Sequence, residues 1–213
     1  MGADSKRGKG LRNVLLGAVG LLWLAGLGMG LRILLNYENG PATPGSAPGQ
    51  WPASSKIERL PGLPTIVVMA HPHCPCTQAT MGELALLMAR VQNRVTATVV
   101  FVRPPGLPEK WEETGLWNDA QQIPGVRVMS DPEGHEAALF GAIASGQTML
   151  YDASGKLQFS GGITARRGHS GDNAGRSAIV ALITRAKAGV RETPVYGCTL
   201  GSPKTRADYR GKP

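Results

Sequence analysis

The stretch Pro64-Thr-Ile-Val-Val-Met-Ala70, continuing into His71-Pro-His-Cys-Pro-Cys76, decides the fold of this chain. Its first half is a short apolar and β-branched run behind a Pro-Gly-Leu-Pro sequence, which is typical of a strand buried on both faces. Its second half brings two thiols and two imidazoles together within six residues. Side chains of these types carry out redox or metal chemistry, so this junction is the candidate functional site.

Apolar residues recur at helical spacing after the two cysteines, namely Met81, Leu84, Ala85, Met88 and Val91. This pattern predicts a helix over residues 75–91, with Pro75 in its first turn, where a missing N–H group costs nothing. A cysteine at a helix N-terminus faces unpaired N–H groups and the positive end of the helix dipole. We therefore expect at least one of Cys74 and Cys76 to be a reactive thiolate within reach of solvent. The competing interpretation is two thiols that only cap the helix.

The spacing of the cysteines bears on how they can pair. Residues two apart in a helix have Cβ vectors roughly 200° apart, so a Cys74–Cys76 disulfide would be strained unless the first turn unwinds. Strained disulfides are the readily reduced, catalytic or regulatory kind. The third cysteine, Cys198, follows the last predicted helix by about ten residues, which reach ~33 Å when extended. It could return as a resolving thiol for Cys74 or Cys76, or be a buried or intermolecular thiol.

The N-terminus indicates a membrane location. A basic tail over residues 1–12 precedes an uncharged, mostly apolar run from Val14 to Leu31, which spans roughly 27 Å as a helix. We predict a single-pass transmembrane anchor over residues 13–35, with the tail in the cytoplasm and the remainder extracytoplasmic, or periplasmic in a cell with an outer membrane. The alternative is a cleaved signal peptide, but the run is longer than the usual ~7–15 residues and lacks a good cleavage site.

Beyond the anchor, we predict three segments. Residues 36–60 are rich in Pro and Gly and indicate a linker, residues 61–190 suit one domain, and residues 191–213 form a C-terminal extension with Cys198 and a basic tail. The net charge of +8 is concentrated at the two ends of the chain, so the domain is nearly neutral and a nucleic-acid partner is not indicated. The basic tail is most simply solvated, and the alternative is a weak contact with anionic lipid. Its cations are Lys204, Arg206, Arg210 and Lys212.

The domain alternates predicted strands with predicted helices. Strands are predicted at residues 64–70, 96–102, 126–129, 148–151 and 157–160, and helices at 75–91, 109–121, 133–143 and 172–188. The last two strands form a hairpin across Asp152-Ala-Ser-Gly155, which has good turn chemistry. This order predicts an α/β fold with a central mixed sheet flanked by helices on both faces.

Three motifs together resemble the thioredoxin-like superfamily: the strand running into Cys74-Pro-Cys76, the stretch Asp131-Pro-Glu-Gly134, and the stretch from Thr148 to Gly155. The likeness covers roughly residues 63–188 and is strongest to membrane-anchored envelope thiol-disulfide proteins. It implies a βαβ unit joined to a ββα unit, with a redox site where the first strand meets the first helix, and with protein thiols or disulfides as partners.

The chain departs from the superfamily pattern in three ways. The usual motif is Cys-x-x-Cys, whereas one residue separates the two cysteines here. The proline that faces the disulfide is replaced by Gly146 or Gln147, depending on the alignment. The buried acid of the first strand is replaced by an apolar residue near Val67, so proton handling would fall to His71 and His73.

The sequence supports a thiol-disulfide oxidoreductase without a cofactor. In this hypothesis the Cys74 thiolate attacks a partner disulfide, and Cys76 or Cys198 resolves the mixed disulfide. The implied topology also brings the loop of residues 164–172 to the site. His169 is then a further candidate, against the alternative of a solvated loop histidine, and the Arg166 and Arg167 cations could favour a thiolate.

The alternative is a copper-binding module similar to the Sco-type chaperones, which combine paired cysteines with a later histidine. Soft thiolates with imidazoles suit Cu(I) or Zn(II). The predicted ligands are Cys74, Cys76, His71, His73 and His169. Sco-type proteins, however, space their cysteines further apart. A peroxiredoxin-type peroxidase is disfavoured, because no Pro-x-x-x-Thr-x-x-Cys pattern is present, and a purely structural domain is the remaining alternative.

Overall fold

The computed structural model describes residues 3–43, 45–184 and 189–201. The chain divides into two compact units, of which the first ends at Asn39 and the second begins at Gly40. The first unit is a single helix, α1 (Ala3–Asn39). Its stretch Arg12–Asn39 is long and apolar enough to cross a membrane by length and composition. The helix is longer than the predicted anchor, and the chain has no proline before Pro41 to end it.

The second unit contains a five-stranded sheet and four helices. The strands are β1 (Thr65–Ala70), β2 (Thr96–Arg103), β3 (Val126–Pro132), β4 (Thr148–Tyr151) and β5 (Leu157–Gly161), and the helices are α2 (Pro75–Arg90), α3 (Gly115–Gln121), α4 (His135–Leu139) and α5 (Ala174–Ile183). The strand order is β3-β2-β1-β4-β5. β1 pairs in parallel with β2, and β2 with β3, whereas β4 is antiparallel to both β1 and β5.

This topology confirms the predicted thioredoxin-like fold. β1, α2 and β2 form the βαβ unit, and β4, β5 and α5 form the ββα unit. β1 is the central strand and all six of its residues are buried, as its uninterrupted apolar sequence predicts. Ile66 and Val68 pack against the core of α2 and α5, whereas Val67 and Met69 pack into a second core on the opposite face of the sheet.

Three helices are shorter than predicted. α3 begins only at Gly115, because residues 109–114 form turns that end at Thr114, the residue preceding the helix. α4 ends at Leu139, because Gly141 takes a φ of +59° and ends the helical geometry. α5 starts at Ala174, after Asn173, whose side chain accepts a hydrogen bond from the Arg176 N–H group. Of the predicted extent of this helix, residues 185–188 lie outside the described residues, as does the basic tail over residues 202–213.

The prediction of a linker over residues 36–60 is wrong for much of this segment. The indole ring of Trp51 lies edge-on against Phe140 and Tyr151, at centroid distances of 5.0 and 5.2 Å. Ser55 donates a hydrogen bond to the carboxylate of Glu136 at 2.7 Å, and Ile57 is buried in the core. A few anchoring side chains therefore hold this Pro- and Gly-rich segment on the domain, although its overall composition is that of a linker.

Candidate functional site

The Cys74-Pro75-Cys76 sequence lies where β1 ends and α2 begins, as predicted. The N–H group of Cys74 donates to the carbonyl of His71 at 3.2 Å, which closes a tight turn after the strand. Cys74 is the residue preceding the helix and has extended geometry, with φ of −93° and ψ of 120°. Pro75 occupies the first helical turn, and Cys76 follows it. Cys74 thus lies at the N-terminus of α2, where the first backbone N–H groups have no partner within the helix and point toward it.

Ser145, in the segment before β4, holds this turn in place. Its hydroxyl accepts a hydrogen bond from the His71 N–H at 2.9 Å and lies 2.8 Å from the hydroxyl of Thr77. Thr77 in turn donates to the carbonyl of His71 at 3.0 Å. The next residue, Gly146, has a φ of +88° and donates to the carbonyl of Met69. A proline, whose φ is fixed near −65°, cannot adopt this conformation.

The C-terminal segment of residues 197–200, which we call the strap, returns to the site. It runs antiparallel to the segment before β4: the Ser145 N–H donates to the carbonyl of Cys198 at 2.8 Å, and the Leu200 N–H donates to that of Ile143 at 2.9 Å. A Cβ atom on Gly197 would overlap the carbonyl oxygen of Ser145, so only glycine permits this approach. The backbone pairing fixes the position of Cys198.

The strap brings Cys198 into contact with Cys74. The Cys74 and Cys198 sulfurs share a hydrogen bond at an Sγ–Sγ distance of 2.9 Å, in which Cys198 is the donor when Cys74 is ionised. Neither sulfur forms a disulfide in this structure. Of the two pairings that the sequence left open for Cys74, the structure places Cys198 in direct contact across the end of the helix.

The hydrogen bond determines which sulfur is ionised. The pKa of Cys74 is lowered to about 5, mainly by this hydrogen bond and also by the backbone N–H groups of Cys198, Cys76 and Thr77, against the opposing effect of burial. The pKa of Cys198 is raised, because its proton is held in the bond to Cys74 and because it is buried beside that negative charge. The pKa of Cys76 is raised by burial and by the charge of Cys74. At neutral pH the site therefore holds one thiolate and two thiols.

The thiolate is more enclosed than we expected. Cys74 is only 1% exposed and Cys76 is 7% exposed. The expectation of a solvent-accessible thiolate is thus wrong for this conformation, because the strap covers the mouth of the helix. The neighbours that cover Cys74 are polar, however, since another thiol and N–H groups surround the sulfur.

Arg167 brings a positive charge to the cysteines from the loop between β5 and α5. Its Nη1 donates to the carbonyl of Gly197 at 2.7 Å, and its Nε donates to the carbonyl of Gly40 at 3.1 Å. The guanidinium also forms a hydrogen bond with Cys76. It lowers the pKa of both Cys76 and Cys198, although burial and the interaction with Cys74 raise both pKa values by more. Of the two loop arginines that the sequence singled out, Arg167 is half-buried at the site and Arg166 is exposed.

His71 and His73 pack around Trp111, and His71 also faces Cys74. The rings of His71 and His73 lie 5.7 and 4.4 Å from the Trp111 ring, and His71 Nδ1 accepts a hydrogen bond from the His73 N–H at 3.2 Å. Burial lowers the pKa of His71, so this imidazole is neutral at pH 7. Sequence reasoning missed Trp111, because a tryptophan in a Pro- and Glu-rich stretch shows no pattern that ties it to the distant cysteines.

His169 lies on the surface of the loop between β5 and α5. Its side chain is exposed, and its Nδ1 donates a hydrogen bond to the carbonyl of Arg167 at 2.9 Å. Within the described residues, no group of three or more Cys, His, Asp or Glu side chains is placed to hold a metal ion. The ligand set predicted for the copper alternative is therefore not assembled in this conformation.

Comparisons with known proteins agree with the fold. No protein-family model matches the chain. No curated protein matches it in sequence. A hypothetical protein from Sinorhizobium meliloti has a similar solved structure, with a TM-score of 0.55 and 19% identity over 75% of this chain and 93% of that one. The solved structure of an uncharacterized conserved protein from Geobacillus kaustophilus has a TM-score of 0.53 and 16% identity, over 78% of this chain and 92% of that one.

A secreted disulfide oxidoreductase from Mycobacterium tuberculosis is a more distant match, with a TM-score of 0.42 and 14% identity over 59% of this chain and 84% of that one. The sheet order, the strand directions and the placement of α2 and α5 define the class: this is a protein of thioredoxin-like fold. It also carries an N-terminal helix that is long and apolar enough for a membrane span.

Proposed function

We propose that this protein is a membrane-anchored, extracytoplasmic thiol-disulfide oxidoreductase whose redox pair is Cys74 and Cys198. A single observation carries the proposal: a sulfur whose pKa is lowered to about 5 lies 2.9 Å from a second thiol. The thiolate is the attacking species in disulfide exchange, and the second thiol completes the reaction by releasing the partner.

The reaction begins with attack of the Cys74 thiolate on one sulfur of a partner disulfide. A Cys74–partner mixed disulfide forms, the partner S–S bond breaks, and the leaving partner thiolate takes up a proton. Cys198 then loses its proton and attacks the Cys74 sulfur, which forms the Cys74–Cys198 disulfide and expels the second partner thiolate. Two electrons pass from this protein to the partner. The reverse sequence oxidises a partner dithiol, and the two reduction potentials set the direction.

Cys198 suits the resolving role better than Cys76 does. A disulfide has an S–S distance of about 2.05 Å, so the two sulfurs, now 2.9 Å apart, need to approach by less than about 1 Å. Cys76 lies inside the first turn of α2, where a bond to Cys74 would need the turn to unwind. In this proposal Cys76 contributes its backbone N–H group to the stabilisation of the Cys74 thiolate.

A partner reaches Cys74 when the strap moves aside. The strap is attached near the site by the hydrogen bonds of Ser145 with Cys198 and of Leu200 with Ile143. Backbone hydrogen bonds contribute about 0.5–1.5 kcal/mol each in net terms, and opening also breaks the Arg167–Gly197 bond and exposes the side chain of Leu200, so the open state is a minor one. Because Cys198 is itself on the strap, the same movement exposes Cys74 and withholds the resolving thiol until the strap returns.

The location follows from α1 and the charges beside it. The basic residues before Val14 favour a cytoplasmic N-terminus, which would place the domain on the opposite side of the membrane, where disulfides persist. Protease treatment of intact right-side-out vesicles would check this orientation. Digestion of the domain supports it, and protection of the domain until the membrane is dissolved contradicts it.

Insulin reduction tests the activity directly. Full-length protein in detergent, supplied with a dithiol reductant, should accelerate the reduction of insulin disulfides. Cys74→Ser should abolish the acceleration, because the attacking sulfur is lost. Cys76→Ser is the matched control and should retain most of the activity. Equal rates for the wild type and Cys74→Ser would overturn the proposal.

A further inference from the structure

The guanidinium of Arg167 is attached to the peptide that carries the resolving thiol. Its Nη1 donates to the carbonyl of Gly197, the residue directly before Cys198, and its Nε donates to Gly40. Each bond engages a backbone carbonyl, so no carboxylate neutralises the cation through either of them. An arginine remains charged throughout the accessible pH range. The loop after β5 therefore brings a fixed positive charge to the site from outside the helix that carries Cys74.

Burial and the neighbouring groups act on the ionisation of Cys198 in the reduced protein. The Cys74 thiolate accepts its proton in a hydrogen bond and repels a second negative charge, burial disfavours the charged form, and Cys76, a thiol at neutral pH, adds to the repulsion only once it ionises. Arg167 acts in the opposite direction. His71, which faces Cys74 from the turn before α2, is neutral at pH 7. The effects that raise the pKa of Cys198 outweigh that of Arg167, so Cys198 keeps its proton as long as Cys74 is ionised.

The effects on the pKa of Cys198 change when Cys74 reacts. In a mixed disulfide the Cys74 sulfur carries no charge, so it no longer repels a thiolate at Cys198 and no longer holds the Cys198 proton. The hydrogen bond to Cys74 and the charge of Cys74, which both raise the pKa of Cys198, then disappear, whereas the effects of burial and of Arg167 remain. The guanidinium is then the charged group that favours deprotonation of Cys198.

We propose that Arg167 is a positioning residue that activates Cys198 for the second step, after Cys74 has formed the mixed disulfide. This inference rests on the proposed function and adds an order of events to it. Cys198 remains a thiol, and serves as hydrogen-bond donor to Cys74, until a partner is bound. It becomes a thiolate beside Arg167 only when its attack on the Cys74 sulfur is productive. The proton goes to solvent and the expelled partner thiolate receives the electron pair.

The experiment separates the two chemical steps with a neutral probe. Reduced full-length protein in detergent is mixed with 2,2'-dipyridyl disulfide, which has no charge for Arg167 to attract. Attack by Cys74 releases one pyridinethione, and attack by Cys198 on the mixed disulfide releases the second. The absorbance of pyridinethione follows both phases, and peptide mapping identifies the final disulfide. The variants are Arg167→Gln, Arg167→Lys and, as a matched control on the exposed neighbour, Arg166→Gln.

We expect Arg167→Gln to slow the second phase and to leave the first phase nearly unchanged. Loss of a neighbouring cation raises a thiol pKa by about one unit, which leaves about tenfold less thiolate below the pKa. The more basic thiolate is about threefold more nucleophilic, so the second phase should slow by about three- to fourfold. Its pH profile should move up by about one unit. Arg167→Lys should restore most of the rate, and Arg166→Gln should match the wild type.

The outcomes distinguish this inference from its alternatives. If Arg167→Gln only loosens the strap, the second phase slows equally at every pH and the first phase accelerates, which overturns the electrostatic role. A second phase at the wild-type rate and with the wild-type pH profile also overturns it. If the wild type itself releases no second pyridinethione, the proposed function fails, independently of Arg167. Thermal unfolding of each variant confirms that the compared proteins are folded.

Discussion

Cys74 and Cys198 hold their sulfur atoms 2.9 Å apart although 124 residues separate them in the chain. The contact depends on backbone pairing between the strap and the segment before β4, not on the local geometry of the Cys-Pro-Cys sequence. One sulfur lies at the N-terminus of α2, and the other lies on the strap. The site thus combines two sulfurs from segments that are distant in the sequence.

This relationship predicts the disulfide that forms on oxidation. Mild oxidation of the reduced full-length protein should produce mainly a Cys74–Cys198 bond, because these sulfurs already touch. Peptide mapping by mass spectrometry identifies the pairing. Cys76→Ser should oxidise as the wild type does, whereas Cys198→Ser should accumulate mixed disulfides at Cys74 with small thiols. A predominant Cys74–Cys76 bond in the wild type would contradict the prediction.

The ionisation of Cys74 predicts a pH dependence of its reactivity. Its pKa is lowered to about 5, mainly by the hydrogen bond from Cys198, so alkylation of Cys74 by iodoacetamide should rise with pH around that value. In Cys198→Ala the largest cause is lost, and the midpoint should move toward the ordinary value of 9.0. The rate of alkylation at Cys74, followed by mass spectrometry over pH, measures both midpoints. An unchanged midpoint in Cys198→Ala would show that the helix N-terminus alone stabilises the thiolate.

The same pKa predicts how stability changes with pH. Because the pKa of Cys74 is lowered in the folded protein, the thiolate stabilises the fold fully above the ordinary value of 9.0, and this stabilisation is lost as the pH falls through about 5. The raised pKa values of Cys76 and Cys198 act in the opposite sense only above pH 9. Urea unfolding between pH 7 and 9 should show stability rising with pH in the wild type. The rise should be smaller in Cys74→Ser, and equal slopes would refute the assignment.

Much of the fold follows from local sequence. The apolar run of β1 and the helical spacing after Cys76 each determine their element with little help from distant residues, and the structure shows both at nearly the predicted bounds. The turn at Asp152 likewise forms from local chemistry, because its carboxylate accepts from the N–H groups of Ser154 and Lys156. Strong local patterns thus predicted the elements and the mixed sheet, whereas the joining of a βαβ unit to a ββα unit was implied by the resemblance to thioredoxin-like proteins.

The contacts between distant segments could not be predicted in the same way. The position of Cys198 depends on two backbone hydrogen bonds and on the small size of Gly197, neither of which leaves a periodic signal. Trp51 anchors a segment whose average composition resembles a linker. The implied topology brought the loop of residues 164–172 to the correct end of the sheet, but only the contacts show that Arg167 turns toward the cysteines and His169 does not.

Gly197 provides a way to open the site. A Cβ at this position would overlap the Ser145 carbonyl, so Gly197→Ala should displace the strap from the segment before β4. Cys74 should then be alkylated faster above pH 9.0, because its cover is removed and its thiol ionises there even without the hydrogen bond from Cys198. Gly189→Ala is the matched control, since a Cβ there meets no atom within 4 Å. An alkylation rate in Gly197→Ala equal to that of Gly189→Ala would mean that the strap does not limit access.

The loop that carries Arg167 depends on a buried ion pair beneath it. Glu83 of α2 is fully buried and pairs with Arg176 of α5, which is also buried. Glu83 also accepts hydrogen bonds from the N–H group of Gly171 and from the side chain of Asn173 at 3.0 Å. One carboxylate therefore fixes the end of the loop and the start of α5 to the helix of the redox site.

Glu83→Gln should destabilise the domain by about 3–5 kcal/mol, because it leaves the charge of Arg176 buried without its main partner. Urea unfolding of the full-length protein measures the loss. Asp172→Asn is the matched control, since Asp172 is the fully exposed second partner of Arg176 and should contribute little. Replacing Glu83 and Arg176 together by leucine should restore part of the stability, as removal of both charges leaves none unpaired. If Glu83→Gln and Asp172→Asn are equally stable, the buried pair does not hold the loop.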